Sequence, residues 1–475
     1  MKLTFWGAAQ QVTGSMYLLE IEDYQILVDC GYDLENPSET NPVYQGSAFP
    51  FDVSLVDVVV LTHAHLDHSG RIPNLFREGF EGQILCTTPT MQLTELLLMD
   101  AASINQHKLK AIHKRKSQGH RRKQHQNDQH QLSTLYLEKH VSEALSQFVP
   151  IAFNKPFAIH KNISITFIPT GHLLGAANVF IEWKTQGSKK SILFSGDVGR
   201  KNYPLLPDPQ IPPQADYVVC ETTYGNRMHL SREQATDELA QIIEDCCVNT
   251  PGKLIIPSFS LGRTQSLIYT LHQLAENKRL PRIKIFADSP LAFEGNKIYK
   301  KNLSYLSKEA QEFTKKHGDL LDFENLHYVT SSKESKEVSS YQEPCIIISS
   351  SGMLEGGRIQ EHIARNISHP YCTILMVGYC AEGTLGWKLL HARDSIIWND
   401  KNLPIRAKIM QTDVLSGHGD QNDLIEFIHH QNSSRLQKIF LSHGEKQSMY
   451  DFKQTLHTIG YTNVEIPTKG ESYLL

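Results

Sequence analysis

Apolar residues fall in short runs over the first hundred positions. Segments 2–6, 16–21, 24–28, 55–61 and 83–86 are rich in Val, Ile, Leu and aromatic residues, and the first three are closed by Gly or Asp. That pattern predicts strands. Positions 89–103 place Leu93, Leu96, Leu97 and Asp100 within two turns, which predicts a helix. Strand patterning returns at 163–169, 179–183 and 191–194. From about 226 the period alternates between 3.6 and 2, predicting helices at 233–247 and 264–277. Strands are predicted at 253–257, 283–287, 345–349 and 373–377. Short Val/Ile-rich strands separated by helices imply parallel βαβ units. The last stretch resumes the first style, with strands at 407–414 and 438–441 and helices at 422–430 and 447–458. The predicted fold is therefore α/β: a host domain over 1–225 and 411–475, interrupted by an inserted domain over 226–410 with a mainly parallel sheet.

Composition narrows the class. The chain has 475 residues, 40% hydrophobic and 21% charged, which excludes disordered and collagen-like proteins. Lys and Arg total 47 against 51 Asp and Glu, a net charge of −4, so the surface is not a uniform cationic coat for nucleic acid. None of the eight cysteines forms a C-x-x-C pair, which argues against zinc ribbons and thioredoxin-like redox motifs. No apolar run approaches the roughly 18 residues of a membrane span, and Gln10 and Gln11 end the first one too early for a signal peptide. A soluble, cytoplasmic protein with reduced thiols and no membrane partner is expected. One segment differs from the rest: 104–131 holds eight Lys or Arg between Lys108 and Lys123 and five of the chain's 23 histidines. It reads first as a solvated, partly disordered insertion, and second as a basic flap over a phosphate-bearing ligand.

The chemistry concentrates at Thr62-His63-Ala64-His65-Leu66-Asp67-His68, which follows an apolar strand. Four borderline ligands in six residues cannot all be buried without partners, since each unpaired polar group costs several kcal/mol. Two imidazoles serve one cation, and the carboxylate with the third imidazole serves a second. Other strand ends supply His172, Asp197 and His443, and Asp197 suits a bridge between the ions. Such a mixed His/carboxylate set suits zinc, and also Mn or Fe. After the inserted strands, Ser349-Ser350-Ser351-Gly352 offers hydroxyls and free backbone N–H groups to phosphate oxygens, with Arg263 and Arg358 as fork-shaped phosphate contacts. A strand-ending turn and structural salt bridges are the competing readings of those residues.

His63, His65, Asp67 and His68, with His172 and Asp197, resemble the H-x-H-x-D-H signature of the metallo-β-lactamase superfamily, which implies a four-layer αββα fold and two zinc ions. Asp29 in Leu27-Val28-Asp29-Cys30-Gly31 matches the superfamily's first motif. The chain resembles the β-CASP branch, whose acidic motif A is matched by Glu221, and whose motif B and C histidines are matched by His418 and His443. Phe259 to Gln265, Ala287 to Pro290 and Ser349 to Arg358 also look like that branch. A motif C histidine belongs to RNA-processing members, such as ribonuclease J and homologues of the mRNA 3′-end cleavage endonuclease. DNA-processing members resembling Artemis have an apolar residue there.

The resemblance implies a zinc-dependent ribonuclease acting on single-stranded RNA through a hydroxide bridging two ions, leaving 5′-phosphate and 3′-hydroxyl. It implies that His63, His65 and His172 hold one ion, that Asp67, His68 and His443 hold the other, and that Asp197 bridges. His418 is then the general acid, oriented by Glu221, with Asp67 and Asp29 completing the catalytic set. A homodimer is compatible with this reading. The competing functions are a thioester or lactone hydrolase, a DNA-directed β-CASP nuclease, and a non-catalytic scaffold.

Overall fold

The computed structural model describes residues 1–33, 47–117, 134–185, 187–399 and 401–475, and of 111–117 the backbone. The described chain divides into two compact units. The first is Met1–Gly199, Pro209–Met228 and His418–Leu475; the second is Arg200–Asp208 and His229–Gly417.

In the first unit two seven-stranded sheets face each other. One runs Ser472–Leu474, Lys2–Phe5, Tyr17–Ile21, Tyr24–Val28, Val58–Val60, Gln83–Cys86 and Phe148–Pro150. The other runs Val464–Glu465, Lys438–Ser442, Tyr217–Glu221, Ser188–Phe194, Ala177–Thr185, Ile163–Pro169 and Phe157–His160. Side chains alternate across a strand, and the alternation sorts them into three apolar layers. Leu3, Phe5, Leu19, Val28 and Val60 meet Phe167, Val179, Ile181, Phe194 and Phe440 between the sheets. On the far face of the first sheet, Leu27, Val59, Leu61 and Ile84 pack with Ile72, Leu75, Leu98, Ala102 and Val141 of its helices. On the far face of the second, Leu193, Val218 and Leu441 pack with Leu424, Phe427, Met449, Phe452 and Leu456 from helices Gln421–His429 and Lys446–Thr458. The result is the expected αββα order of layers. Each such side chain, fully buried, stabilises the fold by about 1.5–3 kcal/mol.

The second unit is built on one six-stranded sheet in the order Leu326–Tyr328, Lys284–Asp288, Cys345–Ser349, Lys253–Pro257, Cys372–Met376, Lys408–Gln411. Every pairing in it is parallel. Register aligns Asp288 and Pro257 with Ser349, so three strands end level.

Three differences from the sequence reading have physical causes. The strand read at 407–414 with the returning host pairs with Cys372–Met376 instead, as the edge of the inserted sheet. Half-polar edge strands read alike in either sheet, and only the partner decides. The helix expected to end at 103 continues as Thr88–Ser117, because no Gly or Pro stops it and Gln, Lys and Leu are good helix formers. Its residues 104–110 are solvated except for Asn105, whose amide donates to Tyr136 O at 3.3 Å, and the half-buried Leu109. Residues 118–131 of the basic segment lie outside the described residues. The hairpin Ser395–Trp398 with Lys401–Pro404 was not foreseen, since its polar second strand lacks apolar alternation. No helix among the described residues is long and apolar enough to cross a membrane.

Candidate metal centre

Strand ends assemble the site. Asp29 follows Tyr24–Val28, His63 follows Val58–Val60, His172 follows Ile163–Pro169, Asp197 follows Ser188–Phe194, and His443 follows Lys438–Ser442. Strands Ser188–Phe194, Tyr217–Glu221 and Lys438–Ser442 are mutually parallel, so they deliver Asp197, Glu221 and His443 to one edge of their sheet. Asp67 and His68 ride on the single turn Leu66–Ser69, where successive side chains point about 100° apart. That divergence aims the two at different neighbours.

The side chains form two ligand sets that share one carboxylate. His65 Nδ1 lies 3.1 Å from His63 Nε2 and 3.2 Å from His172 Nε2. Asp197 Oδ2 stands 3.4 Å from His63 Nε2 and 3.3 Å from His172 Nε2. Its other oxygen, Oδ1, is 3.2 Å from His68 Nε2 and 3.6 Å from His443 Nε2. His443 Nε2 in turn is 3.3 Å from His68 Nε2 and 3.5 Å from Asp67 Oδ2. Ligands on a tetrahedron with bonds of about 2.0–2.1 Å stand about 3.3 Å apart, so both sets have the spacing of a cation cage. Asp197 Oδ1 is buried with no hydrogen-bond partner among the described residues, an orphan acceptor that fits a ligand role. The donors present therefore fit two divalent cations.

Electrostatics divide the sets. Burial holds His63 down to about 3 and His65 down to about 4, and it holds His172 well below the ordinary imidazole range, so all three are held neutral. Burial also opposes charge on His68 and His443. There, however, it is outweighed by Asp197 with Asp29 for His68, and by Asp197 with Asp67 for His443, and both imidazoles are raised. Burial pushes Asp197 and Asp67 upward, but the surrounding histidines, His443 foremost, hold both below the usual carboxylate range.

Around the ligands runs a ring of supporting groups. Asp29, wholly buried, accepts from Thr62 N at 2.8 Å and Thr62 Oγ1 at 2.9 Å, and its Oδ2 lies 2.7 Å from His68 Nδ1. Glu221 Oε1 accepts from Val198 N at 2.9 Å and lies 3.2 Å from His418 Nδ1. The His418 side chain is 17% exposed, whereas Glu221 and Asp197 beside it are buried. A Cβ on Gly31 would fall 1.7 Å from Asp67 O, so only glycine lets that backbone pass. Thr62 and Thr223 escaped the sequence reading. Their signal was position alone, one residue before His63 and two after Glu221.

The serine loop and its arginines stand at the C-terminal edge of the six-stranded sheet. Ser349 Oγ donates to Asp288 O at 2.8 Å, and Ser350 Oγ is 3.0 Å from Ser289 Oγ. Ser351 Oγ is buried without a partner among the described residues, and Gly352 packs on the Phe259 ring. Arg263 lies 5.0 Å above that ring and its Nε donates to Leu415 O at 3.2 Å. Arg358 is committed to the protein: Nη1 pairs with Asp288 Oδ1 at 2.6 Å, and its donors also reach the carbonyls of Val329 and Thr330.

Two facing sheets with a shared-carboxylate His/Asp cluster at their strand ends, in a chain carrying a parallel α/β unit, define a metallo-hydrolase architecture. Family models match along the chain in the same order. Residues 18–202 match a metallo-beta-lactamase superfamily domain, 264–389 a Beta-Casp domain, and 402–467 a Zn-dependent metallo-hydrolase RNA specificity domain. The chain is 31% identical to "Ribonuclease TTHA0252" of Thermus thermophilus over 94% of each protein. It is 26% identical to "Transcription termination factor FttA" of Methanosarcina mazei over 99% of this chain and 70% of that one. To an "RNase J-like protein" of Methanocaldococcus jannaschii it is 27% identical, over 98% and 97%. The chain belongs to the β-CASP branch of the metallo-β-lactamase superfamily. A crystal structure of a protein of unknown function from Enterococcus faecalis shares the fold at a TM-score of 0.53 and 13% identity, covering 100% of this chain and 99% of that one.

Proposed function

We propose that the protein is a zinc-dependent ribonuclease that hydrolyses phosphodiester bonds in single-stranded RNA, leaving 5′-phosphate and 3′-hydroxyl ends. The observation that carries this reading is the pair of candidate ligand sets with Asp197 turning one oxygen toward each, and the His418–Glu221 pair beside them. His63, His65 and His172 would hold one zinc ion, Asp67, His68 and His443 the other, with Mn or Fe accommodated by the same donors. When bound, the two cations supply Lewis acidity, ionising water near neutral pH and drawing charge from the phosphoryl oxygens.

The remaining work falls to this chain's own groups. Asp29 holds the His68 ring by its Nδ1. Glu221 engages His418 at Nδ1, which leaves Nε2 to hand a proton to the departing 3′-oxygen, an alkoxide that leaves poorly without one. Because water is the nucleophile, the 2′-hydroxyl has no chemical role, and preference for RNA rests on contacts. The RNA specificity model over 402–467 and the names of the relatives support that substrate. For phosphate contacts, the neighbouring strands Lys253–Pro257 and Cys345–Ser349 matter, since the chain leaves them toward opposite sides of the sheet. Such a switch point is where open α/β sheets bind ligands. Ser350, Ser351, Gly352 and Arg263 line its edge, whereas Arg358 acts there by holding Asp288.

The test is incubation with labelled RNA, single-stranded DNA and a generic thioester, each with and without chelator. RNA cleavage that stops on metal removal is expected. Cleavage that survives complete removal, or turnover of the thioester alone, refutes the proposal.

A further inference from the structure

The residues after Glu221 reach both histidines that this branch adds to the metal centre. Strand Tyr217–Glu221 runs parallel to Lys438–Ser442 with Glu221 level with Ser442, so Thr222 and Thr223 leave one strand beside His443 leaving the other. Thr222 N donates to His443 O at 3.0 Å, and Thr222 Oγ1 donates to Ser442 O at 2.9 Å. Thr223 N donates to Glu221 Oε2 at 3.0 Å, the carboxylate whose other oxygen meets His418. The Thr223 hydroxyl touches His443 twice, 3.3 Å from its carbonyl oxygen and 3.1 Å from its Nδ1.

Proton counting gives this double contact a direction. A hydroxyl has one proton and two lone pairs. The His443 carbonyl can only accept, so the Thr223 proton goes there, and the lone pair left facing Nδ1 requires a proton on Nδ1. With Nδ1 keeping its proton, Nε2, which faces Asp67 and His68, is the nitrogen His443 can bare for a cation. The backbone of His443 makes this support more valuable. Its φ of +48° lies in the left-handed region, which costs about 1 kcal/mol or more for a side-chain-bearing residue. Its N–H donation to Ala8 O at 2.8 Å fixes the backbone, but nothing in that bond turns the ring.

We propose that Thr223 is the positioning residue of His443, setting its tautomer and thereby the affinity of the Asp67/His68/His443 position for its cation. Through its backbone N–H it also ties that position to the carboxylate that orients His418. The inference rests on the two-cation reading above and assigns a task to a residue outside both ligand sets.

The experiment measures zinc uptake without RNA, by titration against a competing chelator and by metal content after dialysis. Wild type should bind two ions. Thr223→Val, which removes the hydroxyl at nearly constant shape, should bind the first unchanged and the second about 10–100-fold more weakly. Thr223→Ser should restore it. A second-ion affinity in Thr223→Val equal to that of wild type overturns the assignment while leaving the two-cation centre intact, whereas wild type that binds no ions overturns the centre itself. Independently of any variant's folding, ¹⁵N-histidine spectra of the zinc-loaded wild type should show His443 protonated at Nδ1. Protonation at Nε2 overturns the proposal.

Discussion

Replacing Asp288 by Asn removes one charge from the interior of the inserted sheet without changing its shape. Asp288 is wholly buried, with Arg358 Nη1 2.6 Å from Oδ1, His362 Nε2 2.6 Å from Oδ2, and a hydrogen bond accepted from Ser335 Oγ. His362 continues to Ser339 Oγ at 2.8 Å, so the carboxylate anchors a buried chain. Removing one partner of a buried pair costs about 3–5 kcal/mol. Arg358 is 22% exposed and keeps the carbonyls of Val329 and Thr330, which places the expectation at the lower end, about 3 kcal/mol. Trp387 and Trp398 lie in this unit and Trp6 and Trp183 in the other. Urea unfolding followed by fluorescence, with Trp6 and Trp183 changed to Phe in both proteins, therefore reads the unit concerned. With a urea slope of about 2 kcal/mol/M, the midpoint should fall by about 1.5 M.

The same residue predicts a pH signature. Burial would raise the Asp288 carboxyl, but bonds from His362, Ser335 and Arg358 outweigh it and hold it below the ordinary range. A lowered folded value means the carboxylate stabilises the fold above its unfolded pKa of about 3.9, and that stability is lost as pH falls through the folded value. The gap between wild type and Asp288→Asn should narrow as pH falls below about 4 and close in stronger acid. A midpoint shift under about 0.3 M, or a gap that persists unchanged at low pH, would refute the reasoning.

Three further outcomes follow from the metal centre. His418→Ala should lower kcat by about 10²–10⁴-fold while metal analysis still finds two ions; loss of an ion would place His418 among the ligands instead. Asp197→Ala removes the carboxylate common to both sets, so metal content should fall toward zero, and retention of both ions would rule out a bridge. Chelation of wild type should lower its thermal midpoint, because cations bind the folded ligand sets and not the unfolded chain; an unchanged midpoint contradicts the assigned ligands. At the basic segment, deleting 108–123 should weaken RNA binding and flatten its dependence on salt, whereas unchanged affinity and slope leave the segment a solvated insertion.

Much of the fold was legible because its signals are local. Runs such as Val58–Val60 and Lys253–Pro257 announce themselves by β-branched density and by the turns that close them. What resisted was pairing. Lys408–Gln411 could join either domain on its own composition, and only its ladder with Cys372–Met376 assigns it. Helix Thr88–Ser117 resisted for another reason: its last turns are helical through propensity and the lack of a stop, with no apolar face to mark them.

The metal centre divides along the same line. His63, His65, Asp67 and His68 are legible together because four ligand types within six residues have no other economical explanation. His172, Asp197 and His443 are each one polar residue at a strand end, a modest signal singly, and they joined the set because a two-cation site needs further ligands and because the family resemblance matched them. Of the supporting groups, Asp29 and Glu221 were legible through the resemblance, whereas Thr223 was not. Thr223 is an ordinary threonine until its hydroxyl is found 3.1 Å from a ligand's ring nitrogen, and Arg358 is a plausible phosphate clamp until Asp288 is found 2.6 Å away. In both cases residue type states only what a side chain is able to bond. Which bond it makes is set by the neighbour that a parallel register brings alongside: Glu221 with Ser442 for Thr223, and Asp288 with Ser349 for the loop that ends at Arg358. Candidate ligands can thus be read from spacing, but the groups that would set their protonation and aim are found only in the sheet.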